Sequence, residues 1–381
     1  MTDFQVEANL IDIHTKSIYP ARITVGDGII QKIDKLEAAH SSDHILPGFV
    51  DSHIHIESSM LVPGEFARLA TTHGTVATVS DPHEIANVLG EQGVRFMVEN
   101  GRRMNFKFYF GIPSCVPATA FETSGASLDA DSVRRLASEL DLKYLSEMMN
   151  FPGVLLDFPD VVAKLEAARA LGLPIDGHAP GLGGDSLKKY AASGISTDHE
   201  CTNIAEATEK IAAGMKILIR EGSAAKNFEA LKPLIASHPE SVMLCSDDKH
   251  PDCLERGHIN ELVRRAISGG FELFDVLRTA ITNPIAHYGL DVGTLRVGDP
   301  ADFILIDNPT DFNIKSTFID GRKVAEHGKS TIRSIETEPI NNFRAERKSP
   351  ADFACPPQGK FIRVINAIEI QLLPTETIEE A

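Results

Sequence analysis

Histidine and carboxylate residues recur in this sequence where short apolar runs end. His53 and His55 follow one such run, Ile45 to Asp51, which predicts a buried strand. At this i, i+2 spacing an extended backbone projects both imidazoles from the same face. Two neighbouring neutral imidazoles can bind a transition metal. A single His-x-His pair is weak evidence, so a metal site requires further ligands from other strands.

Eight apolar, β-rich runs alternate with stretches of helical spacing between residues 46 and 290. The runs begin near Leu46, Thr75, Phe106, Leu142, Leu173, Gly194, Met215 and Val242. The helical stretches are Phe66 to Ala70, Val133 to Leu140, Val161 to Leu171, Ile204 to Ala213 and Phe228 to Ile235. The alternation predicts an α/β fold, a (β/α)8 TIM barrel. A doubly wound open sheet is the alternative, but no Gly-rich phosphate turn follows the first strand.

Short strands on both sides of this region predict a second, smaller domain. Residues 1–45 and 291–330 both contain alternating β-type runs, so we expect one small composite β-sandwich domain built from both flanks of the 46–290 barrel. In residues 331–381 the pattern weakens: Glu338 to Pro357 is polar and Pro-rich, and one further strand is predicted from Lys360 to Leu373. We interpret them as a connector towards a further C-terminal domain.

Polar clusters follow the predicted barrel strands. In a barrel of this kind the chemistry lies at the C-terminal strand ends. In chain order these ends are His53 and His55, Asp81-Pro82-His83-Glu84, Pro113-Ser114, Ser146-Glu147-Met148, Gly177-His178-Ala179, Asp198-His199-Glu200, Arg220-Glu221-Gly222 and Ser246-Asp247-Asp248. Six residues from five of these ends could form one metal site: His53, His55, Glu147, His178, His199 and Asp247.

This ligand set indicates hydrolytic chemistry. Imidazole and carboxylate ligands without thiolate suit Mn²⁺, Fe²⁺ or Zn²⁺, and six ligands could hold one or two ions per chain. Such an ion acidifies a bound water and so supplies a nucleophile at neutral pH. Asp247, beside it, could take the proton from this water and return it to a leaving group.

Several motifs resemble one protein family. Pro47-Gly-Phe-Val-Asp-Ser-His-Ile-His55 resembles the first-strand motif of the amidohydrolase superfamily. The segments 56–60, 80–90, 146–154, 176–180, 197–200 and 245–251 are similar to the adenine deaminases within it, and the match runs in order from about residue 5 to 370. The resemblance implies a barrel with a β-sandwich, a manganese or iron site, and hydrolytic loss of ammonia from adenine.

The same resemblance assigns roles to individual residues. It makes the six residues above the metal shell, with Glu147 where other amidohydrolases use a carboxylated lysine. Lys143, four residues earlier, is predicted to lie inside the strand and is therefore the less favoured candidate. It makes Asp247 and Glu200 the proton-transferring residues. The remaining candidates for substrate contact or for orienting the ligands are Asp81, His83, Glu84, Asp248 and Ser59.

Composition limits the partners. The formal net charge of −17 argues against a nucleic acid polymer or an anionic membrane as partner. The five scattered cysteines predict reduced thiols and a cytoplasmic location. We expect a small-molecule substrate and a homo-oligomer.

The expected activity is metal-dependent hydrolysis of adenine to hypoxanthine and ammonia. The zinc deaminases with a Pro-Cys-x-x-Cys motif are excluded because this motif is absent. Two alternatives stay open from the sequence. One is an amidohydrolase acting on another aminated heterocycle or cyclic amide, because the fold does not decide the substrate. The other is a shortened, non-catalytic paralogue, since adenine deaminases usually continue into a further C-terminal domain.

Overall fold

The computed structural model describes residues 3–38, 40–119, 121–340, 345–356, 358–368 and 374–380. The chain begins with four strands of a small sheet, in which β2 pairs antiparallel with β1 and β3, and β4 lies parallel to β1. These strands are β1 (Phe4–Asp12), β2 (Ser17–Gly26), β3 (Ile29–Lys35) and β4 (His44–Pro47). Among the described residues, no helix combines the length and the apolar composition of a membrane span.

Eight parallel strands then form a closed barrel. They are β5 (Phe49–Ile54), β6 (Thr75–Ser80), β7 (Lys107–Phe110), β8 (Leu145–Met148), β9 (Ile175–Gly177), β10 (Thr197–Asp198), β11 (Lys216–Arg220) and β12 (Val242–Cys245). Three isolated bridges complete the ring: Ile112 with Leu145, Ile175 with Ile195, and Ile54 with Asp247. The (β/α)8 barrel predicted from the sequence is therefore confirmed.

Helices follow the barrel strands and cover the outside of the barrel. They are α1 (Pro63–Ala70), α2 (His83–Leu89), α3 (Glu91–Arg102), α4 (Ala130–Leu140), α5 (Phe151–Leu155), α6 (Pro159–Ala170), α7 (Gly184–Ala192), α8 (Ile204–Ala212), α9 (Phe228–Leu231), α10 (Leu234–Ser237), α11 (Pro251–Arg256), α12 (Ile259–Ser268), α13 (Leu273–Leu277) and α14 (Asn283–Tyr288). The stretch predicted as one helix from Phe228 to Ile235 is interrupted at Pro233, which lacks the amide hydrogen that a continuous helix needs.

The chain returns to the small sheet after the barrel. The returning strands are β13 (Phe303–Ile306), β14 (Ile314–Ile319), β15 (Arg322–Glu326) and β16 (Lys329–Ser330). Because β13 pairs with β4, both flanks of the barrel form one continuous eight-stranded sheet. A separate hairpin of β17 (Phe361–Asn366) and β18 (Thr375–Glu380) lies in the predicted connector, where residues 369–373 of the predicted strand are outside the described part. The domain boundaries at residues 45, 290 and 330 stay a prediction.

The first barrel strand differs from the prediction. The run from Ile45 to Asp51, expected as one strand, is divided at Pro47-Gly48: its first part belongs to β4 of the small sheet and its second part begins β5 of the barrel. Gly48 is required at this crossing because a Cβ atom there would lie 2.2 Å from a methyl carbon of the buried Val76. The close approach of the backbone to β6 therefore explains the glycine.

The packing at Gly48 can be tested with two substitutions. We expect Gly48→Ala to lower the free energy of unfolding by about 2 kcal/mol, because overpacking a buried contact typically costs about 1–3 kcal/mol. In a Val76→Ala background the same substitution should cost much less, because the two methyl groups that clash are gone. Denaturant unfolding of the four proteins measures both effects, and equal costs in the two backgrounds would contradict this explanation.

His287, a half-buried histidine near the N-terminal ends of the barrel strands, makes stability depend on pH. Burial, together with the charge of Lys216, lowers the pKa of His287 to about 4. Because the folded state then binds fewer protons than the unfolded state, its stability falls as pH decreases from about 6.5 towards 4. When the pH is lowered from 8 to 5, both the parent and His287→Asn should lose unfolding free energy. We expect the loss to be about 2 kcal/mol smaller in His287→Asn, because the contribution of His287 is removed and each pKa unit corresponds to about 1.4 kcal/mol. Urea unfolding at the two pH values tests this, with pH 8 as the internal reference.

Candidate active site

The residues predicted as ligands lie together at the C-terminal rim of the barrel. The parallel strands all point their carboxyl ends to this rim, so residues far apart in sequence become neighbours. His53 and His55 lie at the end of β5, Glu147 in β8, His178 after β9, His199 after β10 and Asp247 after β12. Except for His178, each of these residues is at most 3% exposed.

Glu147 lies at the centre of the cluster. Its Oε2 is 2.7 Å from Nδ1 of His178 and 3.0 Å from Nε2 of His199. Its Oε1 is 3.4 Å from Nε2 of His55 and 3.3 Å from Nδ1 of His83. One carboxylate thus contacts four imidazoles, two on each oxygen, and this geometry allows it to bridge two cations.

His53, His55 and Asp247 form the second part of the cluster. The Nε2 atoms of the two histidines are 3.1 Å apart, and they lie 3.7 and 3.3 Å from Oδ1 of Asp247. Nδ1 of His55 is 3.1 Å from the backbone oxygen of Asp81, which can only accept a hydrogen bond. This contact places the proton on Nδ1 and leaves the lone pair of Nε2 free for a cation.

Charge in the cluster is balanced by the groups themselves. Burial alone raises the pKa of Glu147, but the charges and hydrogen bonds of His178 and His199 hold it well below its ordinary value. Burial likewise opposes ionisation of Asp247, yet contact with His55, with further help from His199, lowers its pKa. For His199, burial favours the neutral form, but Glu147 raises its pKa to about 9. A divalent cation could replace such imidazole protons as the counter-charge.

The donor set fits a divalent metal. Several groups of three or four potential ligand atoms lie within 4.8 Å of one another, and they share members. These groups include His53 with His55 and Asp247, His53 with Glu147 and His199, and His178 with His199 and Glu200. Nitrogen and carboxylate ligands in overlapping groups are suited to one or two ions of the Mn²⁺, Fe²⁺ or Zn²⁺ type.

The Asp81-Pro82-His83-Glu84 segment contacts two of the candidate ligands, His55 and Glu147, directly. His83 is within 3.0 Å of Asp81 and 3.3 Å of Glu147, and Glu84 is 3.4 Å from Nδ1 of His55. His55, Asp81, His83 and Glu147 could themselves hold an ion. Their contacts with both His55 and Glu147 are compatible with orienting ligands as well as with contacting a substrate.

Arg220 is the main site residue to which the sequence assigned no role. It ends β11, is 6% exposed, and its guanidinium contacts both oxygens of Glu200 and Oδ2 of Asp247. Nδ2 of Asn227 donates to the backbone oxygen of His199, and Oδ1 of Asn227 accepts from the amide of Arg220. The signal was present in the sequence as a cation at a strand end, but only the tertiary structure shows which carboxylates it contacts.

Glu57 is a second residue that the sequence did not single out. Its carboxyl group is buried beside Glu84, and its Oε1 accepts a hydrogen bond of 3.3 Å from the amide of Ile85. Burial and the nearby charge of Glu84 raise the pKa of Glu57 to about 8. Burial and the charge of Glu84 thus both disfavour the ionised form of this carboxyl group.

Some residues considered from the sequence make local contacts instead. The hydroxyl of Ser59 donates to the backbone oxygen of Ile56, whereas the neighbouring Ser58 contacts Oδ1 of Asp248 at 2.5 Å. Lys143 precedes β8 rather than lying inside it, and its ammonium group contacts Asp141 at 2.6 Å. Glu147 rather than Lys143 therefore faces the histidines.

The central position of Glu147 makes a direct prediction. Glu147→Gln removes the negative charge that four imidazoles face, so we expect the affinity for Mn²⁺ to fall by roughly 100-fold, the upper end of what removing groups around a metal costs. The metal content of the dialysed protein, measured by mass spectrometry, should fall accordingly. Glu166→Gln, an exposed substitution on α6, is the matched control and should retain the metal. Equal metal content in the two variants would contradict a ligand role for Glu147.

Comparisons with known proteins identify a family and several relatives that are similar to this chain. The model of the amidohydrolase family matches residues 44–324. An adenine deaminase of Salinibacter ruber is 54% identical over 369 residues, which are 97% of this chain and 68% of that protein. An adenine deaminase of Methanosarcina mazei is 56% identical over 354 residues, 92% of this chain and 63% of that protein. The chain thus spans about two thirds of the length of these curated relatives.

Solved structures with low sequence identity share the fold. A β-aspartyl dipeptidase of Fervidobacterium islandicum matches 88% of this chain and its own whole length, with a TM-score of 0.64 at 15% identity. An N-acetyl-D-glucosamine-6-phosphate deacetylase of Mycobacterium smegmatis matches 84% of this chain and its own whole length, with a TM-score of 0.63 at 14% identity. At these identities the similarity concerns the architecture only.

Proposed function

The chain belongs to the amidohydrolase family, and from this premise we propose that it hydrolyses adenine to hypoxanthine and ammonia. The proposal depends most on one observation: histidines from the ends of β5, β9 and β10 converge around Glu147 of β8 at the barrel rim. The substrate is inferred from the adenine deaminases, which are similar over nearly the whole chain.

We propose Mn²⁺ as the metal, with Fe²⁺ and Zn²⁺ as the alternatives. His53, His55 and Asp247 would hold one ion, Glu147 would be shared, and His178 and His199 would complete the ligands of a second ion. When bound, the metal would acidify a water and so supply the nucleophile for attack on the ring carbon.

Asp247 is the proposed proton acceptor. In the net reaction the oxygen of water bonds to C6 of adenine, the bond from C6 to the amino nitrogen breaks, and that nitrogen leaves as ammonia. Oδ2 of Asp247 is held by Arg220, whereas Oδ1 faces the histidine pair and is available to take a proton from the water. The same oxygen can return this proton to the departing nitrogen.

The contacts of Glu200 favour a role that differs from the proton shuttle expected from the sequence. Both of its carboxylate oxygens accept hydrogen bonds from the guanidinium of Arg220. We propose that Glu200 holds Arg220 in place, and that Arg220 in turn orients Asp247. The shuttle role stays a prediction that Glu200→Gln can test through the pH dependence of kcat.

We propose that Asp81, His83, Glu84 and Asp248 line the substrate side of the site. Glu84 is partly exposed at the rim, and Asp248, held by Ser58, lies close enough to Glu84 and His55 to share an ion with them. Carboxylates at these positions could accept hydrogen bonds from the ring NH or the amino group of adenine.

The activity can be tested with the purified 381-residue chain. We expect the Mn²⁺-loaded protein to convert adenine to hypoxanthine with equimolar ammonia, and removal of the metal by a chelator to abolish turnover until Mn²⁺ is restored. Asp247→Asn should lower kcat/KM by roughly 10²–10⁴-fold, the usual contribution of a positioned acid or base. Hypoxanthine is measured by chromatography and ammonia by a coupled assay.

The controls separate the proposed activity from its alternatives. Asp252→Asn changes an exposed carboxylate that contacts Arg256, and it should leave turnover unchanged. Adenosine, cytosine, guanine and dihydroorotate are assayed in parallel. No turnover of adenine with Mn²⁺, Fe²⁺ or Zn²⁺ would refute the proposal; turnover of another substrate would indicate a different amidohydrolase, and failure to bind any of the three metals would indicate a non-catalytic protein.

A further inference from the structure

A layer of buried aspartates lies directly beneath the candidate metal ligands. Asp51 precedes His53 by two residues, Asp176 precedes His178 by two, and Asp198 immediately precedes a third ligand, His199. Each aspartate is at most 1% exposed. An ionised carboxylate is costly at such depth unless other groups contact it, so the partners of this layer indicate what the layer does.

Asp51 joins the first and last barrel strands. Its Oδ1 accepts hydrogen bonds from the backbone amides of His53, at 3.3 Å, and Ser246, at 3.0 Å. Its Oδ2 accepts from the hydroxyl of Ser246. The ligands His53 and Asp247 are thus attached to backbone segments that one carboxylate holds together.

His258 connects this carboxylate to the outside of the barrel. It immediately precedes α12, is 1% exposed, and its Nε2 lies 2.7 Å from Oδ2 of Asp51. Its Nδ1 lies 2.7 Å from the hydroxyl of Thr75 on β6. Both ring nitrogens are therefore engaged, and His258 holds Asp51 between β5, β6 and β12.

Lys210 has the equivalent position on the opposite side of the barrel. It belongs to α8, is fully buried, and its ammonium group contacts three oxygen atoms. These are Oδ2 of Asp198 at 2.9 Å, the backbone oxygen of Ala179 at 2.7 Å and Oε1 of Glu206 at 2.8 Å. Asp198 also accepts a 2.8 Å hydrogen bond from the amide of Ala179. Lys210 therefore joins the residue after one ligand, His178, to the residue before another, His199.

We propose that Lys210 and His258 are positioning residues that set the metal affinity of the site through Asp198 and Asp51. The inference rests on the proposed metal-dependent function, but it concerns residues that contact no candidate ligand side chain. Each of these two residues helps to connect two backbone segments, and each segment carries a candidate ligand from a different strand. Without these contacts the ligand pairs can separate by small shifts of the strands, and shifts of this size weaken metal binding.

A purely structural role makes a different prediction. Removing one partner of a buried ion pair destabilises a protein wherever the pair lies, so a loss of stability alone would not show positioning. Lys107 provides a matched comparison, because its ammonium group also contacts two carboxylates and one backbone oxygen, those of Asp302, Asp320 and Asp291, but between the barrel and the small sheet. His287 is the comparison for His258, since it is a half-buried histidine at the other end of the barrel.

The experiment compares Lys210→Met and His258→Phe with Lys107→Met and His287→Phe in the full-length chain. We expect the Kd for Mn²⁺, measured by titration calorimetry, to rise 10–100-fold in the first pair and to stay within about threefold of the parent in the second. The visible spectrum of the Co²⁺-loaded protein, which reports ligand geometry, should change only in the first pair. Thermal unfolding of the metal-free proteins measures stability separately.

Each outcome decides the proposal. Unchanged Mn²⁺ affinity and Co²⁺ spectra in Lys210→Met and His258→Phe, with lowered Tm, would show that these residues only stabilise the fold. Equal losses of affinity in all four variants would also refute positioning. Should a variant not fold, Lys210→Gln or His258→Gln is measured by the same criteria, and His258→Gln, which keeps a donor for Asp51, should retain more affinity than His258→Phe. A parent that binds metal without hydrolysing adenine refutes the substrate and leaves this inference intact.

Discussion

The contact of one buried carboxylate with four imidazoles is the interaction on which this site depends. Glu147 is only 3% exposed, and a buried carboxylate is costly to ionise unless groups such as these histidines surround it. The same carboxylate and imidazole groups are also the side chains that can bind a metal cation. Because imidazole protons and a divalent ion can both serve as counter-charge to Glu147, the groups that allow the metal-free protein to fold are also the proposed metal ligands.

The barrel brings these charges together, and further ionic contacts hold them. Arg220 contacts both Glu200 and Asp247, so its single positive charge offsets part of the negative charge that these two carboxylates add to the cluster. Beneath the ligands, Asp51 and Asp198 join neighbouring strands and are themselves held by His258 and Lys210. A polar network of this kind stabilises the protein only when nearly every member has a partner, so it favours one arrangement of the strands.

Much of the fold and part of the site could be predicted from the sequence. The eight strand positions and the barrel followed from the alternation of apolar runs and helical spacing, and the ligand candidates followed from the polar residues at the strand ends. The prediction of one strand from Ile45 to Asp51 was wrong because the apolar run does not show that Gly48 passes against Val76. Arg220, His258 and Lys210 were missed because the carboxylates that they contact are 20, 207 and 12 residues away, and no local pattern marks these pairs.

The sequence alone determined which chemical groups are present and at which strand ends they occur, because the side-chain period of strands and helices is a local property of the chain. It therefore indicated the barrel, the imidazole and carboxylate ligands and the family resemblance. Only the tertiary structure decided which of these groups meet, at what distance and with which counter-charges. Distances between residues such as His53 and Asp247 are set by closure of the barrel, and closure depends on the packing of all eight strands at once.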